Sequence, residues 1–156
     1  MAATQAVPLA PRARFVDCLA LAASAVVAWR CGASVRSIAL AELHVDVVLP
    51  GDMSPPERAA CLLARSMSDR YLSRRPANET AEVWLDDLEN LARLGTSVRR
   101  AGLVCRVILA EHRHAVDRLA ERIGRDGLLF VDELADFASL YGLAGRGPHP
   151  LFALRA

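Results

Sequence analysis

The sequence predicts an all-α domain, because apolar residues recur at three- and four-residue spacings along most of the chain and Gly or Pro punctuates each run. A chain of 156 residues, 53% hydrophobic and 24% charged, is long and apolar enough to build one packed core. Disordered, collagenous and coiled-coil classes are excluded. Nineteen basic residues against eighteen acidic ones leave a formal charge of +1, so no global field draws the chain to nucleic acid or anionic lipid. All nineteen are Arg and none is Lys, which points to a GC-rich coding genome.

Residues 1–11 contain two Pro and little that packs, and read as a flexible arm ahead of a single domain over 12–156. From Arg12 to Arg30 apolar residues cover nearly every face, as in a helix buried among others, and Gly32 ends it. Phe15–Trp29 resembles a signal-peptide core, but Asp17 interrupts its start and Trp29-Arg30 is a poor cleavage site. The run is also shorter than the roughly 20 apolar residues of a membrane span, so a buried helix in a cytoplasmic protein is the reading taken. Ser34–Leu49 carries two patterns: Ile38, Leu40 and Leu43 suit a helix, whereas His44–Val48 alternates like a strand. It is assigned as helix.

Pro50-Gly51-Asp52 is a turn. Ser54-Pro55-Pro56-Glu57 then starts a helix, with a capping side chain, Pro in the first turn and an acid three residues on. That helix runs to about Ser73 and buries Ala60, Leu63, Met67 and Tyr71. Asn78–Thr80 caps the next, striped by Val83, Trp84, Leu88 and Leu91, until Gly95 breaks it. Ser97 caps a helix through Leu103, Val104, Val107 and Ile108 towards His112, and the pattern resumes at Val116, Leu119 and Ile123. After the Asp126-Gly127 turn, Leu128–Leu140 reads as a last amphipathic helix ended by Gly142. The sum is six or seven helices joined by short loops.

Catalytic constellations are missing from this pattern. Cys18, Cys31, Cys61 and Cys105 form no CxxC pair and read as buried free thiols, while His112 and His114 lie two apart on different helix faces and cannot share a metal. Asp86-Asp87 and Asp132-Glu133 read as solvated charge, and no phosphate loop or nucleophile elbow occurs. Asn78-Glu79-Thr80 is a formal glycosylation sequon, read as chance. The expectation is a protein that is not an enzyme and uses no metal or cofactor.

Three segments carry a resemblance. Leu91, Arg93, Gly95 and Arg100 match without a gap the first homology region of the Bcl-2 family of apoptosis regulators, with Ser97, Val98 and Arg99 standing where that family has Asn, Trp and Gly. Phe137, then Leu140-Tyr141-Gly142, then Pro150-Leu151-Phe152 resemble its second region and sequel. Leu63, Ala64, Met67, Arg70 and Tyr71 resemble its third, with Arg65 in place of its Asp. The three occur in the family's order, over residues 58–152, and the short connection between the first and second suggests a trimmed viral relative.

The resemblance implies a Bcl-2-like bundle of six to eight helices around a buried central helix, here Arg99–Glu111. It implies an anti-apoptotic protein whose groove binds the amphipathic death helix of pro-apoptotic family members. On this chain the groove would be lined by Leu63, Met67, Tyr71, Val83, Trp84, Leu88, Leu91, Val104 and Phe137, with Gly95, Ser97 and Tyr141 beside it. Arg100 matches the arginine that pairs with an acid of the partner helix. Arg99, where the family has glycine, either blocks close approach of the partner backbone or adds a second cation. The family commonly carries a C-terminal membrane anchor after Pro-Leu-Phe; this chain stops at Ala156, which reads as either a truncated or a soluble form, and the expected location is cytoplasmic or at the host mitochondrial outer membrane. The alternatives are a viral relative with a closed groove that inhibits host innate signalling, and an unrelated small helical regulator.

Overall fold

The computed structural model describes residues 11–71 and 98–144, apart from the side chains of residues 11–14, 69–71, 98 and 99. Among these residues the chain forms five helices and three strands: α1 Pro11–Arg30, β1 Ser34–Ala39, β2 His44–Val48, α2 Pro55–Tyr71, α3 Val98–Glu111, α4 Arg113–Asp126, β3 Leu128–Phe130 and α5 Val131–Leu140. The fold is therefore helical with a small antiparallel sheet of order β2-β1-β3, and the all-α assignment is corrected.

The enclosed helix is α1. From Cys18 to Cys31 every residue is buried except Ser24, which is half-buried and donates its hydroxyl to the Ala20 carbonyl at 3.0 Å. Five alanines in that stretch (Ala20, Ala22, Ala23, Ala25 and Ala28) keep its girth small, so α2, α3, α4, β1 and β2 all pack on it. The central position expected for Arg99–Glu111 thus belongs to α1. Helix α3 is amphipathic instead, burying Ala101, Val104, Cys105, Ile108 and Leu109 while Leu103, Arg106 and Ala110 face solvent.

The helix assigned to Ser34–Leu49 is a β-hairpin. Val35 pairs with Val47 and Ile38 with Val45, with a bulge between Val35 and Ser37 that accommodates Arg36 as the extra residue. The bulge explains the misreading. Val35 and Ile38 are three apart, a helical spacing, yet the inserted residue lets both side chains reach the core, at 4% and 0% exposure. The connecting turn also lacks the usual punctuation: Leu43 donates its N–H to the Leu40 carbonyl at 3.1 Å and itself takes a left-handed φ of 49°, where Gly or Asn is the common choice.

A second correction falls on Leu128–Leu140, whose first three residues are β3. Gly127, at φ +75°, closes α4 by donating to the Ile123 carbonyl at 2.8 Å and turns the chain out. Leu129 then pairs with Ile38 and is buried, while Leu128 and Phe130 point away. Helix α5 starts at Val131, where the Glu133 carboxylate accepts the Phe130 N–H at 3.0 Å.

Other elements follow the sequence pattern. Helix α2 begins at Pro55 with the Ser54 N–H donating to the Glu57 carboxylate at 3.1 Å, half of a capping box. The expected interruption near His112 separates α3 from α4, whose outer face carries exposed pairs such as Arg113–Asp117 at 3.1 Å. Such pairs contribute little, about 0.2–1 kcal/mol each.

Candidate functional site

An open cleft of about 300 Å³ lies between α1, the β-hairpin and α2. Leu21, Ser24 and Ala28 form its floor because their spacing of three and four places them on one side of α1. Leu43, Val45 and Val47 of the hairpin form one wall, and Cys61, Leu62 and Arg65 of α2 form the other. The lining is mainly apolar. Its polar groups stand at the rim: His44 is exposed, and Arg65 reaches across to donate to the Leu43 carbonyl at 3.4 Å. Leu62 projects beside Arg65 with 40% of its surface open to solvent.

The cleft exists because α2 presents two faces. Leu63, Ala64 and Met67 enter the core, whereas Cys61, Leu62 and Arg65 lie off that stripe, towards β2. The edge position of β2 in the sheet keeps this side open among the described residues. A smaller cavity, about 290 Å³, lies below the end of α1 against Cys31, Met53 and Glu57.

The described residues among those expected to line a groove occur at these places. Leu63 and Met67 of α2 and Val104 of α3 are buried, at 0%, 3% and 1% exposure, and the two helices pack on one another. The Met67 thioether packs there against α3, its methyl 3.9 Å from where a Gly102 β-carbon would sit. Phe137 and Tyr141 belong instead to an aromatic run: Phe137 stacks on Trp29 at 6.3 Å, Tyr141 lies 4.5 Å from Phe137, and His114 lies 6.0 Å beyond. Arg100 is half-buried in the first turn of the amphipathic α3. Arg99 is in the same turn and Tyr71 is the last residue of α2, both without described side chains. Val83, Trp84, Leu88, Leu91, Gly95 and Ser97 lie outside the described residues.

No group of three or more His, Cys, Asp or Glu side chains among the described residues is arranged to hold a metal. No described helix is long and apolar enough to cross a membrane. Arg30, 7% exposed, leaves Nε and Nη1 without hydrogen bonds, but its place in the last turn of α1 is where a helix dipole favours a cation.

Sequence reasoning missed Leu43, His44 and Leu62 as site residues and noted Arg65 only as a departure from a motif. The available signal was the adjacent Cys61-Leu62, apolar yet off the Ala60–Leu63–Met67 stripe. The chain matches no known family model and no curated protein.

Proposed function

We propose that this chain is a protein-interaction domain that receives the apolar face of a helical partner segment in the cleft between α1, α2 and the hairpin. The observation that carries this reading is the pairing of an open apolar trough with one cation, Arg65, on its rim. A helix docked in such a trough buries anchors at i, i+3 or i+4 and i+7, each contributing about 1.5–3 kcal/mol. An acidic residue on that helix would meet Arg65. Because Arg65 is exposed, that pair adds only about 0.2–1 kcal/mol and serves mainly to set register.

The ordered motif resemblance names the first partners to try, the amphipathic helices of pro-death proteins, whose sequestration would be anti-apoptotic. The burial of Leu63, Met67 and Val104 favours the cleft over these residues as the receiving surface. Titration of a panel of pro-death and unrelated amphipathic helical peptides tests the proposal. Binding that weakens about tenfold with Leu62→Ala, and about two- to fivefold with Arg65→Glu, supports it. Binding lost with Arg100→Glu but unchanged by both cleft substitutions would overturn the cleft as the site, and a panel without any binder would overturn the function.

A further inference from the structure

The Arg65 guanidinium stands at the mouth of the cleft with one edge engaged and another free. Its Nη1 donates to the Leu43 carbonyl at 3.4 Å, which lays the side chain across from α2 to the hairpin. Nε and Nη2, which share the other edge, form no hydrogen bond or ion pair among the described residues. Two N–H donors on one edge of a planar guanidinium match the two oxygens of a carboxylate. No Asp or Glu among the described residues lines the cleft, so the cleft itself supplies no such group.

Behind that cation the walls suit hydrocarbon. Leu21 and Ala28 lie on the floor, with Val45 and Val47 on one side and Leu62 on the other. The Ser24 hydroxyl on the floor already donates its hydrogen to the Ala20 carbonyl, at 3.0 Å. The volume of about 300 Å³ takes roughly ten methylene groups, each close in size to a water molecule at about 30 Å³. We propose that the cleft binds a medium-chain fatty acid of roughly eight to twelve carbons. Its carboxylate sits on the Nε–Nη2 edge of Arg65, and its chain runs inward over Leu21 and Ala28.

Fatty-acid binding goes beyond the helix reading and does not depend on it. Both occupants would use the same apolar trough and the same cation, so each would exclude the other and a fatty acid would act as a competitor of the helix. The fatty acid is titrated with no peptide present, and either reading can therefore fail alone. Because the cleft is open and small, the expected affinity is modest, with a Kd on the order of 100 µM for a ten-carbon acid.

The test is calorimetric titration of the full chain with hexanoate, octanoate and decanoate, each below its micelle-forming concentration. Affinity should rise about two- to fourfold per methylene added. Arg65→Met, which keeps the aliphatic stem, should weaken octanoate about two- to fivefold and leave octanol unchanged. Cys61 reports the place, because it lines the cleft half-buried while the other three cysteines are buried. Decanoate should slow its alkylation by iodoacetamide, read by mass on the tryptic peptide Ala59–Arg65. Equal affinity for decanoate and decyltrimethylammonium, octanoate binding undiminished by Arg65→Met, or Cys61 alkylation unchanged with decanoate bound would each overturn the proposal, as would no binding of any of the three acids at millimolar concentration. The chain-length series, the comparison with the cationic amphiphile and the Cys61 protection all use the unsubstituted chain, and they stand even if the variant fails to fold.

Discussion

Gly124 of α4 lies against Cys18 of α1, and a β-carbon built on Gly124 sits 3.5 Å from the Cys18 sulfur, an ordinary van der Waals contact. Its backbone is helical, so the glycine costs helix stability without supplying a needed conformation. Gly124→Ala should stabilise the fold by about 0.5–1 kcal/mol, read as a raised denaturation midpoint. Gly102→Ala, with the Met67 methyl 3.9 Å away, should behave alike. Gly127→Ala is the contrasting case, because φ +75° there penalises a side chain. It should lose about 1–2 kcal/mol.

The start of α2 yields an asymmetric pair. Glu57, 8% exposed, accepts the Ser54 N–H, whereas the Ser54 hydroxyl is buried without a hydrogen-bond partner. Glu57→Ala should therefore cost about 0.5–2 kcal/mol, and Ser54→Ala should be close to neutral. Urea denaturation of the two variants distinguishes them. Equal losses would mean that the hydroxyl caps the helix after all.

Trp29 and Phe137 join α1 to α5, with their rings stacked at 23° between planes. Phe137→Ala should cost about 3–5 kcal/mol by leaving a cavity against the indole. A double-mutant cycle with Trp29→Leu should assign about 0.5–1.5 kcal/mol to the ring pair itself. A coupling of zero would show that α5 is not seated on α1 as described.

Alkaline stability reports on Cys31. Its hydrogen bond with Cys61, and then its burial, raise its pKa in the folded state well above the ordinary thiol value. The folded chain keeps a proton that the unfolded chain releases, so this contribution is complete below about pH 8.5 and declines above it. The loss approaches about 1.4 kcal/mol per pH unit for one proton. Under reducing conditions, Cys31→Ala should flatten the slope between about pH 8 and 9.5. An unchanged slope would place the Cys31 thiol in an environment like water.

Much of the chain's organisation is present in its residue pattern. Local rules suffice for α1, since a run of small and apolar residues covering all faces can only be buried, and for α2, since Ser54-Pro55-Pro56-Glu57 places the start by its own backbone chemistry. They also suffice for the break near His112. What only the tertiary structure decided is which apolar residues share a surface. The bulge at Arg36 lets Val35 and Ile38 act together on a strand despite a helical spacing, and three residues of β3 gain strand geometry by pairing with β1 rather than from any period of their own. The same holds for the site: Leu62 and Arg65 become the wall of a cleft because β2 stands opposite them, and Leu63 and Met67, one and two positions onward along the helix, become core because α3 does. Periodicity states how side chains are distributed around an element, and the long-range packing of other elements determines which side is open.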